Sequence, residues 1–290
     1  MPVKLENDFL QVIVNEKGAE LKSLISKSTG IDYMWSGDPA FWGKTSPILF
    51  PIVGALKDNT YHYKRKSYSL SRHGFAREEL FSVEEQADDA VVFSLQNSTE
   101  HQENYPFDFS LEIKYVIIKD QLVVIYQVIN KGGVDMLFSI GGHPAFKVPL
   151  VENTAYEDHY LSFNQPEDAD RWPIIDGGLI SKKSTSFFKE SRKLELTRDL
   201  FYEDALVFKN LRSTTISIQS DRHAHGLDFQ FEGFPYFGIW AAPNADFVCL
   251  EPWCGIADSV GHNQKLEKKE GIQNLPVGTT WNRSWAVHVY

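Results

Sequence analysis

Leu111-Glu112-Ile113-Lys114-Tyr115 alternates apolar and polar side chains, and this period of two is typical of a strand that buries one face. The same alternation recurs along the whole chain, at 10–14, 61–65, 91–95 and 227–231. Turn sequences such as those at 57–59 and 130–133 separate the runs at intervals typical of antiparallel sheets. The pattern therefore predicts an all-β fold.

Helices contribute little to this prediction, because the best helical candidates, 38–42 and 199–203, are too short to organise a fold. Short strands with short connections indicate a sandwich or a barrel, and their number favours large twisted antiparallel sheets packed face to face. The 290 residues contain no low-complexity linker, internal repeat or composition shift. We therefore expect a single domain over 1–290, with the polar stretch 150–200 as an elaborated excursion.

The composition excludes several classes of partner. A formal net charge of −10 argues against a nucleic-acid or anionic-membrane surface, since both need concentrated Lys and Arg. Charges at Lys4 and Glu6 stand too early for a signal peptide, and no apolar run approaches membrane-spanning length. Cys249 and Cys254 have no second pair that would complete a zinc site. We expect a cytoplasmic protein without a disulfide framework.

One histidine stands in an unusual local sequence, Gly141-Gly142-His143-Pro144. The run 134–140 before it is predicted to be a strand, so His143 should lie at a strand end, where the glycines allow a close approach and the proline stops further pairing. An imidazole there can exchange protons near neutral pH. The alternative is a structural turn.

Two further segments concentrate charge, glycine and aromatic residues. In the first, His73 follows the alternating run 61–70 and has Arg72 and Arg77 beside it, which could hold hydroxyl or anionic groups; the alternative is a solvated basic turn. In the second, Glu251 follows the apolar strand 248–250 and precedes a proline. A carboxylate at that place must face a cleft or be paired.

Together these residues indicate acid-base chemistry. Glu251 supplies a proton acceptor, His73 and His143 supply groups that titrate near neutral pH, and Trp253 offers a flat apolar face that suits a sugar ring. The same two histidines and the glutamate could instead bind a metal, but no short ligand spacing supports that alternative. We therefore predict no metal and no other cofactor.

The chain resembles the aldose 1-epimerase, or galactose mutarotase-like, family, and most closely its smaller bacterial epimerase-related branch. The resemblance covers nearly the whole chain. Its markers, in order, are Ser46–Gly54 (SPILFPIVG), Arg72–Arg77 (RHGFAR), Gly142–Phe146 (GHPAF) and Leu250–Trp253 (LEPW).

The resemblance implies a large antiparallel β-supersandwich with a sugar cleft on the concave face of one sheet. It also implies roles: His143 is similar to the general acid that protonates the ring oxygen, Glu251 to the general base for the anomeric hydroxyl, and His73 to a second histidine that binds the substrate. Asp204 resembles a sugar-binding aspartate, with helix capping as the alternative.

The substrate stays open at this point. The sequence around His73 is closer to the hexose-6-phosphate epimerase branch than to the standard galactose mutarotases, and Lys44 stands where that branch commonly has an arginine. We expect a mutarotase for a free aldohexose or its 6-phosphate. The alternatives are a non-catalytic carbohydrate-binding protein and a lyase or hydrolase on the same fold. The partner is a small sugar or sugar phosphate, and the sequence leaves the oligomeric state undetermined.

Overall fold

The computed structural model describes residues 2–290, except for the side chain of Asp176, and confirms an all-β architecture. The strands, in chain order, are β1 (Pro2–Glu6), β2 (Leu10–Asn15), β3 (Glu20–Ser26), β4 (Ile48–Leu49), β5 (Thr60–Tyr63), β6 (Lys66–Ser69), β7 (Ser82–Gln86), β8 (Ala90–Gln96), β9 (Phe109–Ile118), β10 (Gln121–Asn130), β11 (Met136–Phe138), β12 (Ile140–Gly142), β13 (Ala145–Lys147), β14 (His159–Glu167), β15 (Asp170–Arg171), β16 (Ile174–Ile175), β17 (Leu179–Ile180), β18 (Thr185–Ser186), β19 (Ser191–Glu195), β20 (Leu206–Lys209), β21 (Thr215–Ser220), β22 (Leu227–Gln230), β23 (Tyr236–Trp240), β24 (Phe247–Cys254), β25 (Gln273–Leu275) and β26 (Thr280–Val289).

Helices are few and short. The α-helix α1 covers Thr99–Asn104, and the 3-10 helices are Lys57–Asn59, Ala76–Glu78, Tyr156–Asp158, Asp176–Gly178, Arg198–Phe201 and Leu266–Lys268. The candidate at 199–203 is thus a 3-10 turn, and that at 38–42 is a hydrogen-bonded turn in which Trp42 N–H donates to the Asp38 carbonyl. No helix within residues 2–290 is long and apolar enough to cross a bilayer.

Two large antiparallel sheets form the body of the fold. The nine-stranded sheet has the order β19-β14-β21-β22-β26-β10-β9-β8-β7. The six-stranded sheet has the order β20-β23-β24-β12-β4, and β13 also pairs with β24. A three-stranded sheet, β1-β2-β3, and four two-stranded ribbons complete the structure.

The two sheets differ in how their faces are buried. β10 alternates between buried and half-buried residues, whereas all eight residues of β24 are buried. Residues of the same strand contribute to different hydrophobic clusters. On β20, Leu206 belongs to the large core and Val207 to a small cluster with Ile256. On β24, Leu250 belongs to the large core and Trp253 to the small cluster. The six-stranded sheet is therefore covered on both faces, and the small cluster marks its second face.

The structure corrects two strand predictions. The run 61–70 is a hairpin of β5 and β6, because Lys64 and Arg65 adopt left-handed conformations with φ of 46° and 66°. The run 134–140 is divided at Ser139, since β11 pairs with β25 whereas β12 pairs with β24 and β4. The excursion at 150–200 supplies β14 and β19 to the nine-stranded sheet and also forms two small ribbons.

Candidate active site

A cleft of about 430 Å³ opens on the second face of the six-stranded sheet. This volume lies within the range of small-molecule sites. Seven of the eight predicted site residues line it: Arg72, His73, Arg77, His143, Asp204, Glu251 and Trp253. They come from four separate segments of the chain.

Glu251 and Trp253 form the floor of the cleft. The sequence predicted Glu251 at a strand end, but β24 continues through Pro252 to Cys254, so the carboxylate projects from the strand interior. Gly238 is the register partner of Glu251, and Gly141 is that of Trp253. A Cβ at Gly238 or Gly141 would come within 2.5 Å of the indole, so these glycines leave room for the ring on the sheet.

His143 follows β12 directly, as expected from its glycine-rich sequence, and faces Glu251. Its Nε2 lies 3.2 Å from a carboxylate oxygen of Glu251, and both side chains are buried. Trp42 stacks on the imidazole with ring centroids 4.9 Å apart, and Trp240 meets it edge-on at 5.7 Å. These two tryptophans hold the imidazole ring in the orientation in which its Nε2 contacts the Glu251 carboxyl group.

Burial shifts both members of this pair away from their charged forms. Desolvation, with a smaller effect of Arg72 and Arg77, lowers the pKa of His143 to about 3. Desolvation raises the pKa of Glu251 well above its usual value. A neutral pair that holds one transferable proton between the two groups is therefore favoured.

His73 is held in one tautomer by the backbone. The Gly54 N–H donates to its Nδ1 at 3.1 Å, so the proton of the neutral ring belongs on Nε2. Burial, and then the neighbouring His143, lowers the pKa of His73 well below its usual value. His73 has φ of 71°, a strained conformation for a residue with a Cβ. The ring is thus a neutral hydrogen-bond donor beside His143, whose ring centroid lies 5.9 Å away.

The arginines and Asp204 form one side of the cleft. Arg72 lies 3.8 Å from the Asp204 carboxylate, and Arg77 donates to the Arg72 carbonyl at 3.0 Å. Arg77 Nε is buried without a hydrogen-bond partner in the part of the chain that the structure describes. Asp204 accepts from the Ala205 N–H at 2.7 Å and has φ of 144°, so the predicted capping alternative gives way to a strained residue facing the cleft.

Lys44 does not belong to this group. Its ammonium lies 2.8 Å from Glu78, which also binds Lys17 at 2.9 Å, and Lys44 is outside the set of described residues that line the cleft. Lys44 thus lies apart from the other predicted site residues, and its role in substrate binding stays a prediction. The reason for its separation is a carboxylate 34 positions away in the sequence, which the local motif does not reveal.

The structure changes the set of residues that could bind a metal in this cleft. Among the described residues, the group of potential ligands whose atoms lie within 4.8 Å of one another is His143, Cys249 and Glu251, not the two histidines with the glutamate. Burial raises the pKa of the Cys249 thiol and that of the Glu251 carboxyl well above their usual values, so it favours the protonated form of each group. Metals bind the thiolate and the carboxylate, so this donor set is a poor fit. Both cysteines of residues 2–290 are free.

Sequence reasoning missed several residues that complete the cleft. Trp42 and Trp240 pack against His143, and Ile174 and Ile180 of the excursion also line the cleft. The abundance of tryptophan and the polar excursion were visible signals. Their convergence depends on contacts between distant segments, which residue order alone does not indicate.

Comparisons with known proteins identify the family and the fold. A sequence model of the aldose 1-epimerase family matches residues 1–283. The chain belongs to the aldose 1-epimerase family. Within this family, the plasmid-encoded protein LacX of Lactococcus lactis subsp. lactis is 33% identical over 290 residues, covering 97% of both chains.

Two solved structures are similar throughout. A galactose mutarotase related enzyme from Lactobacillus acidophilus is 32% identical with a TM-score of 0.96, covering 100% of this chain and 97% of its own. A galactose mutarotase-like protein from Lactobacillus casei is 30% identical with a TM-score of 0.94, covering 100% of both chains. The chain thus has the galactose mutarotase-like fold that the resemblance implied.

Proposed function

We propose that this aldose 1-epimerase family member is a mutarotase that interconverts the α and β anomers of an aldohexose. The observation that carries the proposal is the contact of 3.2 Å between His143 and Glu251, buried at the floor of a cleft with aromatic walls. A proton donor and a proton acceptor in direct contact form a general acid-base pair that needs no cofactor.

The spacing of the pair suits an anomeric centre. The hydroxyl oxygen O1 and the ring oxygen O5 are bonded to the same carbon, so two groups that act on them must be close neighbours. His143 Nε2 and the Glu251 carboxylate satisfy this condition.

In the proposed reaction, the proton that the pair holds first passes from Glu251 to His143. The Glu251 carboxylate then removes the O1 proton while the C1–O5 bond breaks and protonated His143 gives its proton to O5. The products are the open-chain aldehyde, a neutral His143 and a protonated Glu251. Rotation about the C1–C2 bond and the reverse transfers close the ring on the other face. The ring-opened state leaves both residues in the neutral forms that burial favours, which stabilises the intermediate.

The surrounding residues are proposed to bind the sugar. Neutral His73 would donate its Nε2 proton to a hydroxyl or to the developing charge on oxygen. Trp253 offers a flat apolar face to the sugar ring. Arg72 and Asp204 line the cleft, where Arg72 would donate to sugar hydroxyl groups and Asp204 would accept from them.

A free aldohexose is the favoured substrate. Arg72 is paired with Asp204, and Lys44 is occupied by Glu78. These carboxylates oppose the binding of a phosphate dianion. A hexose 6-phosphate is the second candidate, and the observation that favours it is the unpartnered Arg77 Nε in the described part of the cleft.

The test is a panel of aldoses and their 6-phosphates. Polarimetry should show faster mutarotation of at least one free aldohexose, with a higher kcat/KM than for its 6-phosphate. The matched variant is His143→Asn, which keeps a polar group of similar size and should bind the sugar while losing turnover. No acceleration for any member of the panel would contradict the enzyme proposal and leave a carbohydrate-binding protein. Release of a smaller sugar from an oligosaccharide would indicate a lyase or hydrolase instead.

A further inference from the structure

Three side chains that line the cleft supply complementary groups. His143 Nε2 lies 3.2 Å from the Glu251 carboxylate, and the ring centroids of His73 and His143 are 5.9 Å apart. The Gly54 N–H donates to His73 Nδ1, so neutral His73 carries its proton on Nε2. Opening a sugar ring uses the acid-base pair, whereas a neutral N–H donor beside that pair suits a reaction that forms an oxyanion.

We propose that the cleft also hydrolyses aldono-1,5-lactones, the six-membered cyclic esters of aldonic acids. In these lactones C1 is bonded to an exocyclic oxygen O1 and to the ring oxygen O5, as it is in an aldohexopyranose. The bond that hydrolysis breaks is C1–O5, which the proposed mutarotation also breaks. The inference rests on the proposed function, because the same pair acts on the same three atoms, and it adds water as the second substrate.

A lactone uses both anomeric positions of C1 at once. The α and β anomers hold O1 on opposite faces of C1, so a mutarotase must let its base reach an oxygen in either position. The tetrahedral adduct of water and a lactone carries one oxygen in each of these positions. The cleft of about 430 Å³ is above the lower limit of about 300 Å³ for small-molecule sites, which leaves room for a hexose ring with one additional oxygen.

The hydrolysis starts with the proton of the pair on His143, as in the proposed ring opening. Water attacks C1 and gives one proton to the Glu251 carboxylate, while an electron pair of the C1=O1 bond moves onto O1 to form an oxyanion. The C1=O1 bond then re-forms as the C1–O5 bond breaks, and His143 gives its proton to O5. The products are an open-chain aldonic acid, a neutral His143 and a protonated Glu251, so the pair again holds one proton.

Positive charge and an N–H donor stabilise the oxyanion. Burial lowers the pKa of His143 and raises that of Glu251, and the charge of Arg72 lowers both pKa values. The field of Arg72 therefore favours negative charge beside the pair, where the oxyanion forms. His73 adds a hydrogen bond from its Nε2, and one donor of this kind contributes a factor of about 10²–10³ to kcat. Mutarotation passes through a neutral aldehyde and depends less on these groups.

The experiment follows acid release from D-glucono-1,5-lactone and D-galactono-1,5-lactone in a pH-stat, with polarimetry of the same enzyme preparation. We expect hydrolysis above the spontaneous rate and in proportion to enzyme concentration. Glu251→Gln and His143→Asn should each lower its rate by a factor on the order of 10²–10⁴. His62→Ala, at an exposed histidine elsewhere, is the matched control and should keep both activities.

A variant of His73 separates the two reactions. Asn tolerates the φ of 71° at this position, but its shorter side chain does not bring an N–H to the place of Nε2. His73→Asn should therefore lower lactone hydrolysis by roughly tenfold more than mutarotation. Equal losses in the two reactions would contradict the role of His73 at the oxyanion.

The outcomes distinguish this inference from the proposed function. Hydrolysis at only the spontaneous rate, in a preparation that mutarotates an aldohexose, would overturn the lactone inference and leave the proposed function intact. Hydrolysis in a preparation that mutarotates no sugar would overturn the proposed function instead, and the absence of both activities would contradict both. Hydrolysis at the wild-type rate in Glu251→Gln and His143→Asn would place the reaction outside this pair and overturn the inference. Circular dichroism checks the fold of each variant, and His143→Gln replaces His143→Asn if the latter does not fold.

Discussion

Two buried carboxyl groups on one stretch of the chain have opposite surroundings. Glu251 faces His143, whose burial favours the neutral form, and His143 Nδ1 has no hydrogen-bond partner among the described residues. Asp258, seven residues later, lies 3.1 Å from the buried ammonium of Lys269 and 3.1 Å from His262. It also accepts the Lys57 N–H at 3.0 Å.

The difference separates a group that can exchange protons from one that holds structure. The charge of Asp258 is compensated by a cation at the same depth, so the carboxylate connects the end of the β24 segment to the loops around it. Glu251 lacks such a cation at contact distance within residues 2–290 and meets a cleft instead. A carboxyl group in that environment is suited to gain and lose a proton during a reaction.

Removing the proton acceptor should have the largest effect. We expect Glu251→Gln to lower kcat by a factor on the order of 10²–10⁴, because the amide keeps the size of the side chain but does not accept the proton. Polarimetry under saturating sugar measures this effect. An unchanged kcat in a variant with native circular dichroism would show that Glu251 is not the base.

The matched change at Asp258 should act on stability instead. Asp258→Asn leaves the buried Lys269 without its counter-charge, and we expect the free energy of unfolding to fall by about 3–5 kcal/mol. Urea denaturation measures this change. Equal stability of Asp258→Asn and the wild type would contradict the structural role of this cluster, as would a stability loss of the same size in Glu251→Gln.

The pH dependence of kcat/KM should reflect the burial of the His143–Glu251 pair. Burial lowers the pKa of His143 to about 3, so a second proton joins the pair only well below the usual histidine range. Burial raises the pKa of Glu251, so the shared proton leaves the pair well above the usual glutamate range. The kcat/KM should therefore stay nearly constant from pH 7 down to pH 5.5. A fall of kcat/KM towards acid pH with its midpoint near pH 6.5 would show that His143 titrates as an exposed histidine does.

The smallest effect is expected at Lys44. Its ammonium is bound to Glu78 at the surface, and exposed ion pairs of this kind contribute little to stability. Lys44→Ala should change KM by less than about twofold, because the side chain is outside the cleft. A large rise in KM for a hexose 6-phosphate alone would show that Lys44 leaves Glu78 and reaches the substrate.

The sequence predicted the fold most reliably where one face of a strand is exposed. Val91–Leu95 and Leu111–Tyr115 alternate because one side of their sheet meets solvent, and β8 and β9 contain them. β24 has two buried faces and shows no alternation, so the position of Glu251 was misread as a strand end. Pro252 reinforced the error, although a strand tolerates proline where its nitrogen need not donate.

The candidate site was predictable in its members and not in its contacts. The glycines beside His143 and the sequence around His73 pointed to placed side chains, and both line the cleft. The stacking of Trp42 on His143 and the pairing of Lys44 with Glu78 join distant segments. Such contacts depend on tertiary packing, which no local pattern encodes.

The central claim is that His143 and Glu251 act as one proton-transferring unit. It is tested most directly by exchange NMR between the α and β anomers of the best sugar, with His143→Asn, Glu251→Gln and the double variant. Groups that act together have strongly non-additive effects, so the double variant should exchange the anomers within a few-fold of the slower single variant. A double variant whose loss of exchange rate equals the product of the two single losses would contradict the account. Single variants that exchange the anomers at the wild-type rate would also contradict it.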